Sequence, residues 1–353
     1  MFRVVFGIAV MTTLATSAPV TRASADDGLR WAIALHGGAG RIPTDIPDDR
    51  RERYHESLRT ARDRGVEILA AGGSAMDAVE AVVRALEDDE LFNAGRGAVF
   101  TREGRNELDA SIMDGETLAG GGVSGVTRVR NPVTAARRVM QQTSHVLIAG
   151  EGADRFAEEA GCRMEIPAYF FSITRWASLE KRLTKAGLPL PQPPPAVTIN
   201  RAAPIAPADR PAAGEEVGNT VGCVALDAAG HLAAATSTGG MPGKRPGRIG
   251  DSPVLGAGTY ADDRGAAVSG TGTGEEYIRH FIAGRLSLAV QGGTPLDEAA
   301  RRCVEDILRP GDGGLIALDA AGRMSLRTNT GSMPRAWADS AGEAGTAIWD
   351  EAD

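Results

Sequence analysis

The stretch GNTVGCVALDAAGHLAAATSTGG, residues 218–240, decides how this chain is read. VGCVAL is a short apolar run, DAAG a tight turn, and HLAAATS a second run. The pattern predicts a buried β-hairpin with Thr220 at the mouth of its first strand. Upstream, residues 187–211 carry eight prolines among alanines and few large apolar side chains, a composition that reads as an exposed linker. A hydroxyl-bearing residue that opens a strand just after such a linker suggests chain cleavage between Asn219 and Thr220. Cleavage would give Thr220 a free α-amine. An α-amine titrates near pH 8, roughly two units below a lysine, so it can take the proton of its own residue's hydroxyl. The competing reading is a β-branched residue that simply favours strands.

Working outward, the chain has 353 residues and 42% hydrophobic content, enough for one large layered core. Its 45 glycines cluster as HGGAG (36–40), NAGRG (93–97), AGGG (119–122) and SGTGTG (269–274), which points to tight turns and close backbone approach. The net charge is −8 with no basic stripe interleaved with aromatics, so nucleic acid is not an expected partner. Residues 1–25 read as a secretory signal: basic at Arg3, apolar over 4–15, closing on Ala23-Ser24-Ala25. The apolar run is too short for an ordinary membrane span, and the expected location is exported, periplasmic or extracellular. Losing Arg3 and Arg22 would take the charge from −8 to −10. Cys162, Cys223 and Cys303 have neither CxxC nor His-Cys spacing and are expected as buried thiols, with one bridge left open.

Elements are expected as a strand at 31–35, helices at 48–69 and 75–86, strands at 107–113 and 121–129, and a helix capped by Asn131-Pro132 and running to 140. A strand at 145–148 and a helix at 151–160 follow. After the hairpin come strands near Thr259 and Ala266, helices at 275–284 and 294–307, and a closing hairpin at 314–329. Strands and helices arrive in groups, which favours sheets packed on each other with helices outside over a doubly wound sheet.

Other chemistries fit less well. His36-Gly37-Gly38 looks like a lipase oxyanion loop, but no G-x-S-x-G elbow is present. SGTGTGEEY lacks the lysine and spacing of a phosphate loop, and the five histidines show no i, i+4 pair for zinc. Three segments fit an amidase built on Thr220. Arg248-Ile249-Gly250-Asp251 sets a guanidinium and a carboxylate three residues apart, suited to the carboxylate and ammonium of an amino acid, or else forms a solvated loop. Thr271-Gly272-Thr273-Gly274 leads into a helix and can aim amides at an oxyanion, or else only starts that helix. Thr238 ends the second hairpin strand where pairing brings it beside Thr220, or else supplies strand-end polarity.

Together the blocks IALHGGAG, LFNAGRGAVFT, ELDASIMDG, RNPVTAARRVM, HVLIAGEGADRFA, TVG, AAATSTGG, GRIGDSP, TGTGEEYIR, GGLIALD and MPRAW resemble the plant-type asparaginases and isoaspartyl peptidases, N-terminal-nucleophile hydrolases. The resemblance spans most of the chain after the signal. It implies an α/β four-layer αββα sandwich and self-cleavage at Asn219-Thr220 into an α piece (26–219, ending in the linker at about 187–217) and a β piece (220–353) that form one domain. It implies pairing of αβ units into a dimer, without membrane attachment. By position, Thr220 matches the nucleophile and Thr238 its hydroxyl partner. Arg248 and Asp251, with Ile249 and Gly250 between them, match the grip on the substrate's α-carboxylate and α-amine. Thr271 and Gly272 match the oxyanion pair, and Thr273 and Gly274 lie on the substrate side. Leu86, Glu87, Asp89, Phe92, Ala94 and Arg96 match a loop whose main-chain carbonyls surround sodium; no cofactor is implied for the chemistry itself. Asn219 stands where many relatives carry glycine or aspartate, and Gly331-Ser332 where they often carry an acid and glycine. The implied activity is hydrolysis of β-aspartyl dipeptides and L-asparagine. Glycosylasparaginase and a non-catalytic exported amino-acid-binding protein are the alternatives.

Overall fold

The computed structural model describes residues 31–199 and 220–350. The expected signal, Asn219 and most of the linker lie outside the described residues. The first half runs β1 (Ala32–His36), α1 (Asp48–Ala70), α2 (Ala75–Glu87), β2 (Leu108–Asp114), β3 (Gly120–Val126), α3 (Pro132–Gln142), β4 (Leu147–Ala149), α4 (Gly150–Glu159) and α5 (Ile173–Lys185). The second half runs β5 (Val221–Leu226), β6 (Leu232–Thr238), β7 (Thr259–Tyr260), β8 (Ala266–Gly272), α6 (Gly274–His280), α7 (Ile282–Gln291) and α8 (Leu296–Arg301). It closes with β9 (Gly313–Asp319), β10 (Met324–Thr328), β11 (Arg335–Asp339) and β12 (Ala344–Ala347).

Two sheets result. Eight strands lie in the order β12-β11-β1-β5-β6-β2-β3-β4, and four in the order β10-β9-β8-β7. The hairpin is the centre of the larger sheet, with β5 against β1 and β6 against β2.

Strand alternation sorts the side chains into layers. On the larger sheet, Ile33, Leu35, Val221, Cys223, Ala225, Ala233 and Ala235 face a core shared with α1 to α4. On the smaller, Ala266, Val268, Leu315 and Ala317 face α7 and α8. The inner faces meet through Ala32, Ala34, Val224, Leu226, Leu232, Ala234, Ala267, Ile316 and Leu318. The order of layers is therefore helix, sheet, sheet, helix, as the resemblance implied.

Several local expectations need correction. The helix expected at 275–284 is two helices, broken at Phe281. Phe281 adopts a left-handed φ of 53°, and its ring fills the space that a Cβ on Gly256 or Gly284 would take. Tertiary packing makes this break, without glycine or proline at the break itself. The helix expected at 294–307 starts at Leu296, after Pro295, and widens into a π turn over Arg302–Ile307. The strand expected at 121–129 ends at Val126. Asn131 holds the N-cap position of α3 but makes no cap hydrogen bond; its amide turns to Arg84 O and Asp88. α5, β11 and β12 had no sequence expectation. The thiols of Cys223 and Cys303 are buried, and that of Cys162 is half-buried. No helix among the described residues is long and apolar enough to cross a membrane.

Candidate active site

The layer between the sheets changes character along its length. At one end it is alanine, valine and leucine. At the other, the same inward positions carry His36 on β1, Gly222 on β5, Thr236 and Thr238 on β6, and Ser269 and Thr271 on β8, with Thr220 one residue before β5. All the polar ones are buried, Thr220 at 8% exposure.

The pair expected at the hairpin mouth is present. Val221 pairs with Ser237, which sets Thr220 opposite Thr238, and the Thr220 hydroxyl donates to Thr238 Oγ1 at 3.0 Å. Thr238 Oγ1 also accepts from Gly240 N at 2.9 Å. A residue not singled out from the sequence, Asn93, holds this strand end. Its carbonyl accepts from Gly239 N at 3.0 Å, and its amide donates to Gly240 O at 2.7 Å.

Thr271 arrives from the other sheet, its Oγ1 accepting from Ala39 N at 3.0 Å. Ala39 follows β1, whose His36 pairs with Gly222, so Thr271 lies at the Thr220 end of the layer. Ser332, one of the departures from the family pattern, clamps the same loop: its hydroxyl donates to Gly40 O at 3.0 Å and accepts from Ile42 N at 2.9 Å. Gly272 has φ of 144°, and a Cβ there would meet Asp312 O at 2.0 Å, so only glycine fits. The amide of Thr273 is committed to Asp312 O at 2.6 Å, which corrects the expectation that it faces an oxyanion.

Arg248, Asp251 and Gly274 do converge. A Cβ on Gly274 would lie 2.7 Å from Asp251 Oδ1 and 3.0 Å from Arg248 Nη2. A Cβ on Gly250 would lie 2.9 Å from Arg248 Nη1, so the guanidinium lies close against this backbone, while the Ile249 side chain is exposed. Arg248 grips Glu275 through Nε at 3.0 Å and Nη2 at 2.8 Å. That contact keeps the Glu275 carboxyl below its ordinary range. Asp251 is buried, and its Oδ2 has no hydrogen-bond partner among the described residues. Burial pushes its pKa up to about 7, against the pull of Arg248. A buried carboxylate oxygen without a donor is what a substrate ammonium would satisfy.

Behind this grip sit Asp109 and Lys244, both missed from sequence. Burial raises the Asp109 carboxyl and lowers the Lys244 ammonium, each offset by the other's charge. Lys244 donates to Glu107 O at 2.8 Å, and Asp109 accepts from Gly125 N at 2.9 Å.

The loop at 86–96 has its side chains occupied elsewhere. Arg96 pairs with Glu90 at 2.6 Å and Asp89 with Arg53 at 2.9 Å. Glu87 turns inward, accepting from Ser237 Oγ at 2.7 Å and Val133 N at 3.0 Å; burial pushes its pKa up to about 8. Carbonyls crowd the bend instead. A Cβ on Gly95 would lie 2.3 Å from Glu87 O, and one on Gly97 would lie 2.1 Å from Phe92 O and 2.7 Å from Glu90 O. The loop thus offers neutral oxygens, which suit a hard cation. A cavity of about 490 Å³ opens beside this loop, between Arg50, Arg53, Asp88 and Arg175, and away from Thr220. Its volume is no guide to this site, because the Thr220 and Thr238 hydroxyls lie buried between the sheets.

For Thr236 and Ser269, also not singled out from the sequence, a signal does exist. Small or hydroxylated residues at alternate positions of β5, β6 and β8 mark one polar end of an otherwise apolar layer.

The chain is similar to known proteins along most of its length. A family model described as asparaginase matches residues 29–348. The isoaspartyl peptidase of Escherichia coli (strain K12) is 46% identical over 309 residues, covering 86% of this chain and 92% of that protein. The isoaspartyl peptidase of Salmonella typhimurium is 44% identical over 316 residues, covering 86% and 94%. The human isoaspartyl peptidase/L-asparaginase is 40% identical over 309 residues, covering 87% and 92%.

Proposed function

Because the chain belongs to the asparaginase family, we propose that it hydrolyses β-aspartyl amide bonds, in isoaspartyl dipeptides and in L-asparagine, with Thr220 as nucleophile. The observation that carries the reading is one arrangement. The Thr220–Thr238 hydroxyl pair lies at the polar end of the inter-sheet layer, and Arg248 converges on Gly274 with Asp251, whose Oδ2 has no donor among the described residues.

The substrate's α-carboxylate is held by Arg248, in competition with Glu275, and its α-ammonium by Asp251. Thr220 Oγ1 attacks the side-chain amide carbon while the α-amine of Thr220 takes the hydroxyl proton. That proton goes to the leaving amine as the C–N bond breaks, leaving a β-aspartyl ester on Thr220. Water, deprotonated by the same amine, then cleaves the ester and releases aspartate. Thr238 Oγ1 holds the attacking hydroxyl, and the backbone around Thr271 and Gly272 receives the oxyanion.

This chemistry needs a free amine, so the chain cleaves itself at Asn219-Thr220 into 26–219 and 220–353. The Ala23-Ser24-Ala25 signature supports export with loss of residues 1–25, and two αβ units assemble as a heterotetramer. The carbonyls of Leu86, Glu87, Asp89, Phe92, Ala94 and Arg96 would hold a sodium ion. Bound there, the ion supplies fixed positive charge that braces the loop carrying Asn93.

The test offers cleaved protein L-asparagine, β-aspartyl-leucine and N-acetylglucosaminyl-asparagine, and measures ammonia, leucine and sugar. Leucine is expected fastest, ammonia slower and sugar scarcely at all. Dominant sugar release would make the protein a glycosylasparaginase, and no release a binding protein. Thr220→Ala is expected to leave one uncut band and no turnover. A wild-type chain that stays uncut yet turns over fully would refute the free-amine mechanism.

A further inference from the structure

His36 is wholly buried between the sheets. Its Nδ1 lies 3.1 Å from the carbonyl oxygen of Thr220, and its Nε2 lies 2.9 Å from Ser269 Oγ. A carbonyl only accepts, so the proton sits on Nδ1 and Nε2 accepts from Ser269. With its one proton committed, Ser269 accepts from Thr236 at 2.7 Å, and Thr236 in turn accepts from Thr259 at 2.6 Å. The Thr259 hydroxyl also lies 3.1 Å from Ser252 O. The Thr220 carbonyl thus sets the direction of the links from His36 through Ser269 to Thr236, in a hydroxyl chain that crosses between the sheets. Burial keeps the imidazole neutral, its pKa pushed down to about 3, which suits a fixed donor and not a proton carrier.

A second observation shows that room has been made for this chain. A Cβ on Gly222 would lie 1.9 Å from Ser269 Oγ and 2.6 Å from His36 Nε2. The glycine of TVG is therefore the space in which His36 and Ser269 meet. Thr220 itself lies one residue before the first ladder pair of β5 with β6, Val221 with Ser237, where the sheet's hold on the backbone ends.

We propose that His36 is a positioning residue for the nucleophile. It fixes the rotation of Thr220 about its Cα–C bond, so that amine and hydroxyl stay aligned with Thr238, and Ser269 and Thr236 fix His36 in turn. This rests on the reading of Thr220 as nucleophile. The mechanism above asks nothing of His36, which touches no reacting atom. Its effect belongs in kcat and in the rate of self-cleavage, with KM set separately by Arg248 and Asp251.

The experiment compares His36→Phe, which keeps a ring and removes both nitrogens, with His36→Asn, which places an amide nitrogen at about the position of Nδ1. Self-cleavage is followed on denaturing gels, kcat and KM with β-aspartyl-leucine, and folding by circular dichroism and Tm. His36→Phe is expected to slow cleavage and to lower kcat by about tenfold to a hundredfold, with KM within about twofold. His36→Asn is expected to recover most of that loss. Wild-type kcat in His36→Phe, or an Asn variant as slow as the Phe variant, would overturn the proposal. Should His36→Phe fail to fold, Ser269→Ala carries the test. It leaves the Thr220 contact and frees the ring, with about a threefold to tenfold fall in kcat expected, and an unchanged kcat refutes the assignment. Thr220→Ala runs alongside. If it is dead while His36→Phe is normal, only the positioning role falls; if it is active, the nucleophile reading falls and takes this one with it.

Discussion

The two sides of Thr220 are built from different chemistry. On the side assigned to substrate, Arg248, Asp251, Glu275, Asp109 and Lys244 are charged, and burial shifts the acids and the lysine among them that have lost solvent. On the other side, His36, Ser269, Thr236 and Thr259 are neutral and joined donor to acceptor. Neutral hydrogen bonds survive burial at little expense, whereas a buried charge is costly until something pairs with it. The neutral side can therefore be permanent. On the charged side Arg248 pairs with Glu275 and Asp109 and Lys244 offset each other, which leaves the Asp251 carboxylate as the charge that a substrate ammonium would relieve.

The largest test of this contrast is Arg248→Ala. Removing a bidentate partner for a partly buried carboxylate typically costs about 2 to 5 kcal/mol, so kcat/KM is expected to fall by roughly thirtyfold or more. Self-cleavage should proceed normally, since it is intramolecular and needs no substrate grip. Wild-type kcat/KM for asparagine in this variant would erase the distinction between the two sides.

A smaller effect concerns pH. The ammonium needs the Asp251 anion, yet burial holds its pKa at about 7, so the protonated form gains as pH drops through that value. Below it, kcat/KM is expected to fall by about tenfold per unit. A bound ammonium draws the pKa back down, so the change should appear in KM, with kcat following the Thr220 amine. Steady-state rates from pH 5 to 9 check this, and a flat KM would remove Asp251 from the ammonium site.

The smallest effect is on stability. Asp251 has a folded pKa of about 7, raised from 3.8, so the folded state holds the extra proton between those values. Stability from this group is therefore lost as pH rises across that window. Asp251→Asn should lack the loss and raise Tm at pH 8 by roughly 2 to 8 °C, with little gain at pH 4. Glu87 adds a slope of the same sign up to about pH 8, and the difference between wild type and variant isolates Asp251. Equal melting curves at both pH values would show that the Asp251 charge is relieved within the free protein.

Much of this was written in the chain. The hairpin at 218–240, the glycine blocks and the charged GRIGD loop are local signals, because period, turn chemistry and residue type act within a few positions. They sufficed for the layered class and for Thr220, Thr238, Arg248 and Asp251 as candidates. The break at Phe281, the helix α5 and the strands β11 and β12 were not legible, since packing against distant residues decides them. The same holds for the partners of the candidates. Arg248 meets Glu275, Ser237 meets Glu87, and His36 meets Ser269 across 233 positions of sequence. A sequence states which residues alternate inward on each strand; only the stacking of two sheets decides which inward faces meet. That meeting turned a serine, a histidine and a missing side chain at Gly222 into the rear support of Thr220.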